Sequence, residues 1–177
     1  MENLFTPWRY VYLSSGRKVK RCIFCKARDA RDDASHLVVH RGRHNFVILN
    51  RYPYNNGHLM IVPYAHRSDL SDGTPSQLRE MMLLASRCAK ALQTIYRPDG
   101  LNLGMNLGSA AGAGVLGHFH LHLVPRWEGD TNFMTVVGRT RVTPESLEET
   151  HRKLASRLTP QHARAVRSKS PPVRRRS

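Results

Sequence analysis

Residues 118–125 read His118-Phe119-His120-Leu121-His122-Leu123-Val124-Pro125 and are the most informative part of the chain. Histidine and apolar residues alternate here, with the period of a β-strand that has one buried face. The alternation predicts that the three imidazoles project from one face, about 6–7 Å apart, while the apolar side chains between them pack into a core. One histidine in a strand is usually only a polar residue, but three in register predict a chemical site.

Two kinds of chemistry use several imidazoles on one face: metal ligation, and phosphoryl-type transfer with one imidazole as nucleophile and a neighbour as proton donor. The nearest acidic residues, Glu128 and Asp130, lie outside the predicted strand, whereas a catalytic metal site usually recruits a carboxylate. The loop Gly108–Gly114 consists of small residues whose backbone N–H groups can approach a phosphate, although a flexible hairpin connection is the other interpretation. Together these features favour a phosphorylated substrate.

The remaining pattern predicts an α+β domain, an antiparallel five-stranded sheet with one long helix packed on it and a C-terminal helix. Residues 75–96 carry apolar side chains at helical spacing, and Thr74 and Gln77 form a T-x-x-Q capping box. A second amphipathic stretch begins near Thr143. The five β-rich runs are 36–40, 44–49, 58–62, 101–107 and 118–124.

Charge is distributed unevenly along the 177 residues, which is the length of one domain. Lys and Arg number 28 against 13 Asp and Glu, a formal net charge of +15, and nine of the basic residues lie in 151–177, where no acid occurs. This excludes a histone-like basic body and leaves open whether the tail binds polyanions or is a solvated end. No membrane-length apolar window or signal-peptide core occurs, so we expect a cytoplasmic protein with no membrane partner.

Three cysteines do not make a secreted disulfide framework. Cys22 and Cys25 have the C-x₂-C spacing that allows two thiolates to reach one tetrahedral ion, or that forms a redox pair; unliganded thiols are a third possibility. Cys88 falls on the apolar stripe of the long helix and is expected in the core.

Three further segments accompany the histidine pattern. Residues 50–63 read N-x-x-P…G-H-x-x-x-x-P, and residues 104–118 read as a strand and a small-residue loop that lead to the histidines. The whole region is flanked by two further segments, Leu4-Phe-Thr-Pro-Trp-Arg-Tyr10 before it and Val124-Pro-Arg-Trp127 after it. This combination, which covers about residues 20–130, resembles the histidine triad (HIT) family of nucleotide hydrolases and transferases. It is similar in particular to the bacterial diadenosine tetraphosphate phosphorylase branch of that family.

The resemblance implies a role for each matching residue. His120 would be the nucleophile that attacks the α-phosphorus and forms a nucleotidyl-histidine intermediate, and His122 would donate a hydrogen bond to the phosphate oxygens. The implied substrate contacts are Asn50 on the ribose, His58 near the nucleotide, and Asn106, Gly112 and Gly114 on the phosphate chain.

Zinc-bearing members of the family place ligands at positions that match His66 and His118. The resemblance therefore implies one structural zinc ion per chain, held by those two histidines with Cys22 and Cys25, although His66 could instead cap the loop before Leu70. It also implies a homodimer.

The expected function is cleavage of dinucleoside polyphosphates of the diadenosine tetraphosphate type, with either water or inorganic phosphate resolving the intermediate. A nucleoside phosphoramidate hydrolase using the same His120 is an alternative, and so is a non-catalytic nucleotide- or RNA-binding module using the basic tail. The expected organisation is an N-terminal extension at 1–21, a HIT-like catalytic domain at 22–158 and a basic, disordered tail at 159–177. Residues 160–177 would bind polyanions weakly and without sequence preference.

Overall fold

A computed structural model of the chain describes residues 21–130 and 145–158. Within these ranges the chain is an α+β domain with a five-stranded antiparallel sheet, as the sequence predicted, and three α-helices. The strands are β1 (Val38–Arg41), β2 (Asn45–Leu49), β3 (Leu59–Pro63), β4 (Gly100–Gly104) and β5 (Leu121–Arg126); the helices are α1 (Ile23–Asp29), α2 (Pro75–Tyr96) and α3 (Leu147–Leu158), and a short 3-10 turn spans Leu70–Asp72. The spatial order of the strands is β1-β2-β3-β5-β4.

One row of residues crosses four of the strands in register. Val38 of β1 lies opposite Ile48 of β2, Ile48 opposite Met60 of β3, and Met60 opposite His122 of β5. Because neighbouring strands are about 4.8 Å apart, this row runs about 14 Å from His122 to Val38.

Helix α2 has the bounds that the sequence predicted. The Thr74 hydroxyl accepts a hydrogen bond from the Gln77 N–H, and the Gln77 side chain accepts one from the Thr74 N–H, which completes the capping box. The helix ends before Arg97, whose φ of 48° is left-handed. It packs on β2, β3 and β5, and Cys88 is fully buried on that face, as predicted. Helix α3 packs on β1 and α2.

The carboxylate of Glu80, on α2, holds the turn between β1 and β2. It accepts hydrogen bonds from the backbone N–H groups of Arg43, His44 and Asn45 at 2.7–2.8 Å, and from the Asn45 side-chain amide at 2.8 Å. Burial raises the pKa of Glu80, but these hydrogen bonds outweigh it and leave the pKa below its usual value. Nothing in the local sequence pattern indicated this contact, because its partners lie more than 30 residues apart.

Two predicted strand boundaries were wrong in the strands that flank the small-residue loop. Strand β5 begins at Leu121, three residues later than predicted, because the Phe119 N–H donates to the Arg67 carbonyl at 2.7 Å, away from the sheet ladder. Strand β4 ends at Gly104, not at Leu107. Phe119, like Leu121, nevertheless belongs to the hydrophobic core, although the neighbouring His118 and His120 are buried too.

At the N-terminal side the structure adds one element and shortens another. Helix α1 was not predicted, and β1 begins at Val38 because Leu37 has a φ of 60°, which interrupts the extended run expected from residue 36. The expected extension at 1–21, apart from Arg21, and the tail at 159–177 lie outside the described residues, as does the predicted start of the second amphipathic stretch near Thr143. Among the helices described, none is both long and apolar enough to cross a membrane.

Candidate active site

His120 is held in one tautomer by its own backbone. Its Nδ1 lies 2.9 Å from the His118 carbonyl oxygen, and because a carbonyl can only accept, Nδ1 carries the proton and Nε2 carries the lone pair. Burial lowers the pKa of His120, and this outweighs the opposing effect of the bond to the carbonyl. The ring is only 5% exposed and packs 4.8 Å from the Phe24 ring. His120 therefore offers a neutral imidazole with an unprotonated Nε2, in a buried rather than a surface position.

His122 and His58 form a second ordered pair, which begins at one backbone N–H. The Tyr54 N–H donates to His58 Nδ1 at 3.1 Å, so that nitrogen must be unprotonated and Nε2 of His58 carries the proton. That Nε2 lies 2.9 Å from His122 Nδ1 and donates to it. His122 consequently carries its own proton on Nε2. A backbone amide thus determines the tautomers of two imidazoles in turn, and the second ring lies 4.7 Å from that of His120.

A cavity of about 590 Å³ opens beside these rings. Its lining comprises polar residues, which include both His120 and His122 and are termed the polar wall, and hydrophobic residues, which are termed the apolar wall. The polar wall also includes Asn50, Asn106, Gly112 and Gly114, and the apolar wall includes Ile23, Phe24, Ala27, Leu37, Ile48 and Met60. The volume is within the range of small-molecule sites.

The cavity brings together most of the residues singled out from the sequence. Asn50, Asn106, Gly112 and Gly114 share it with His120 and His122, whereas the buried His58 is not part of its wall and contacts His122 instead. The loop before the histidines turns sharply, and Gly108 and Gly112 have φ values near 80° that disfavour other residues.

Sequence reasoning missed two parts of this site. The C-x₂-C spacing indicates nothing about Phe24, and its place against His120 depends on helix α1, which no strong periodicity marks in the sequence. The Tyr54 N–H could not have been found, because a backbone donor has no sequence signature.

A second cluster lies next to the histidines and contains Cys22, Cys25, His66 and His118. One ligand atom from each residue lies within 4.8 Å of all the others. His118 Nδ1 is 3.5 Å from Cys22 Sγ and 3.8 Å from Cys25 Sγ, and His66 Nδ1 is 3.3 Å from Cys25 Sγ. Sulfur and nitrogen ligands of one tetrahedral zinc ion are about 3.6 Å apart, given their usual bond lengths to the metal. The cluster therefore has the spacing of a four-ligand metal site.

The protonation states of the side chains in this cluster also favour the binding of a cation. His118 Nε2 lies 2.8 Å from the Pro63 carbonyl and donates to it, which leaves the lone pair on Nδ1, facing the sulfurs. Burial lowers the pKa of His118 to about 4, so the ring is neutral at neutral pH. Burial and the adjacent Cys22 raise the pKa of Cys25, so a thiolate there needs a positive partner. Gly117 leaves room for the site, since a Cβ there would lie 3.1 Å from His66 Nε2.

Comparison with known protein families identifies the family to which the chain belongs. The family model described as the HIT domain matches residues 31–129, which is more than half of the chain. The chain belongs to this family, as its motifs predicted.

Three individual proteins show what the chain is similar to within this family and fold. AP-4-A phosphorylase of Mycobacterium tuberculosis is 40% identical over 164 residues, which cover 88% of this chain and 84% of that protein. The crystal structure of a Zn-bound histidine triad family protein from Mycobacterium smegmatis is 30% identical with a TM-score of 0.63, covering 85% of this chain and 99% of that one. Plasmodium falciparum diadenosine triphosphate hydrolase shares the fold at 15% identity, with a TM-score of 0.57 over 78% of this chain and 80% of that chain.

Proposed function

We propose that this protein cleaves dinucleoside polyphosphates of the diadenosine tetraphosphate type at the α-phosphate, through a nucleotidyl intermediate on His120. The observation that carries the proposal is the unprotonated Nε2 of His120 on the wall of the 590 Å³ cavity. The 40% identity to an AP-4-A phosphorylase over most of both chains supports the choice of substrate.

The first half of the reaction follows from the tautomer of His120. Its Nε2 lone pair forms a bond to the α-phosphorus, and the bond from phosphorus to the leaving phosphate oxygen breaks, with the electron pair departing on that oxygen. The imidazole becomes positively charged as the nitrogen–phosphorus bond forms. The His118 carbonyl, 2.9 Å from Nδ1, stabilises that charge through the Nδ1–H bond. In the second half, water or inorganic phosphate attacks the phosphorus and returns the electron pair to Nε2.

His122 acts on the phosphate oxygens. With its Nδ1 occupied by the bond from His58, its Nε2–H is the donor on the side of the cavity, and it stabilises the negative charge that builds up as phosphorus is attacked. Asn106 and the backbone of Gly112 and Gly114 bind the phosphate chain on the same polar wall, and Asn50 binds the ribose.

A zinc ion held by Cys22, Cys25, His66 and His118 would have a structural role. Two thiolates and two imidazoles at tetrahedral spacing are the donor set that zinc prefers. The four ligands join α1 to the segment after β3 and to the residue whose carbonyl orients His120, so the ion would hold that carbonyl in place.

The protein assembles as a homodimer through β4. This strand is at the edge of the sheet, has no partner on its outer side within the described residues, and carries an exposed Leu103. An open edge strand with an apolar side chain favours pairing with the same strand of a second copy. Light scattering of the full chain tests this, because Leu103→Lys is expected to shift the mass toward the monomer.

Product analysis tests the reaction. The full chain is incubated with diadenosine tetraphosphate, with and without inorganic phosphate. AMP plus ATP indicates hydrolysis, ADP plus ATP indicates phosphorolysis, and a radiolabelled adenylyl adduct that is absent from His120→Ala supports the covalent intermediate. Turnover of an adenosine phosphoramidate but not of diadenosine tetraphosphate contradicts the proposed substrate class.

A further inference from the structure

The turn that leads into β1 contributes three residues to the lining of the cavity. Ser35, His36 and Leu37 all line the same cavity as His120 and His122. The row of paired residues described above runs from His122 through Met60 and Ile48 toward β1, and all three of these side chains belong to the cavity wall. The turn therefore lies at the opposite end from the proposed phosphate site, about 14 Å away across three strand spacings.

This turn is held rigidly by its own hydrogen bonds. The Asp32 carboxylate accepts from the N–H groups of Ala34 and Ser35, and the Leu37 N–H donates to the Ala34 carbonyl. Leu37 has a φ of 60°, which a leucine adopts only at a cost in conformational energy, and its carbonyl is fixed by the Leu49 N–H on β2. The backbone of the turn is thus fixed before any ligand arrives.

The same contacts determine the tautomer of His36. Its Nδ1 lies 2.9 Å from the Ser35 hydroxyl oxygen and 3.2 Å from the Asp32 carbonyl oxygen, and the Ser35 hydroxyl itself donates to that carbonyl. A carbonyl cannot donate, so the arrangement in which every contact is a hydrogen bond has the proton on Nδ1. Nε2 then carries the lone pair and is an acceptor, on the side of the ring that faces away from the turn.

We infer that His36 contributes to nucleobase selection by accepting a hydrogen bond from an exocyclic amino group, such as the 6-amino group of adenine. This inference rests on the proposed function, because it takes a nucleoside phosphate to lie with its phosphate at His120 and its base on the apolar wall. The base would be sandwiched among Phe24, Leu37 and Ile48, which offer no polar group of their own. The edge of the base then meets His36 at the end of the cavity. A purine with hydrogen in place of the 6-amino group fills the same space and leaves the imidazole acceptor unpaired.

The test compares AMP with purine riboside 5′-monophosphate, which differs only in lacking the 6-amino group. Calorimetric titration of the full chain measures both dissociation constants in the wild type, in His36→Phe, which keeps a ring but removes the acceptor, and in His36→Gln, which keeps an acceptor. We expect AMP to bind about tenfold more tightly in the wild type, a preference lost in His36→Phe and largely kept in His36→Gln. His40→Phe, in a half-buried histidine outside the cavity wall, is the matched control and should keep the preference.

The outcomes separate this inference from the proposed function. Equal binding of the two nucleotides by the wild type, or an undiminished preference in a folded His36→Phe, overturns the role of His36 while leaving the reaction intact. Thermal unfolding of each variant identifies any loss that comes from misfolding, in which case His36→Gln alone decides the question. Failure of the wild type to bind either nucleotide or to cleave diadenosine tetraphosphate overturns the proposed function, and the base selection with it.

Discussion

Replacement of His58 by phenylalanine tests whether a backbone amide orders the two imidazoles. Phenylalanine keeps a ring in a site that is 1% exposed and packed 4.8 Å from the Tyr54 ring. It removes the donor to His122 Nδ1 and the acceptor of the Tyr54 N–H. His122 can then place its proton on either nitrogen, and the form with Nε2–H is no longer enforced.

The size of the effect follows from one neutral hydrogen bond. Such a bond contributes about 0.5–1.5 kcal/mol net, which corresponds to roughly a two- to twelvefold change in the ratio of the two His122 tautomers. With neither tautomer favoured, about half of the His122 rings still carry the proton on Nε2, so we expect kcat/KM for diadenosine tetraphosphate to fall about twofold. Loss of the imidazole partner of the part-buried Tyr54 N–H lowers the free energy of unfolding by about 1 kcal/mol.

Turnover and denaturant unfolding are measured on the same preparations, so that activity refers to folded protein. His58→Gln is the comparison variant. Its amide N–H can donate to His122 Nδ1, so most of the activity should be restored. His40→Phe, at a histidine outside the cavity, should leave kcat/KM unchanged. Full activity in His58→Phe would refute the reasoning, and a glutamine variant as impaired as the phenylalanine variant would refute the tautomer as its cause.

Three other perturbations have expected outcomes. His120→Ala should lower turnover by several orders of magnitude and abolish the nucleotidyl adduct while the chain still unfolds cooperatively; more than a few per cent residual activity contradicts covalent catalysis there. After a chelator wash, elemental analysis of the wild type should find about one zinc ion per chain, and Cys22→Ser should lower both this zinc content and the melting temperature. Cys88→Ser is the control and should retain the metal. Two freely titratable thiols in a metal-free wild type would exclude the site. Glu80→Gln should lower the free energy of unfolding by about 1–3 kcal/mol at neutral pH. Because the pKa of Glu80 is depressed in the folded state, its contribution to stability is present above the unfolded pKa near 4.3 and is lost as the pH falls through the folded pKa. The difference in unfolding free energy between wild type and variant should therefore shrink in acid. A difference that does not depend on pH would contradict the role of the Glu80 carboxylate in holding the turn.

The sequence by itself determined the features that depend on neighbours along the chain. Helix α2 follows from apolar residues at three- and four-residue spacing, and its start from Thr74 and Gln77, which meet because they are three residues apart. The opposite orientation of the histidines and of Phe119 and Leu121 follows from the two-residue period of extended chain, and it survives although β5 begins only at Leu121.

Only the tertiary structure decided how distant residues meet, because sheet register and loop geometry fix those distances. The pairing of Met60 with His122 makes His58 a diagonal neighbour of His122, 64 residues away, and thereby creates the hydrogen bond that selects its tautomer. Likewise, the Phe119 N–H binds the Arg67 carbonyl, next to His66, and so brings the His118 ring to 5.0 Å from the His66 ring. Local periodicity encodes which face a side chain occupies, but the protons of His118 and His122 are directed by the Pro63 carbonyl and the His58 ring, which the fold supplies from elsewhere in the chain.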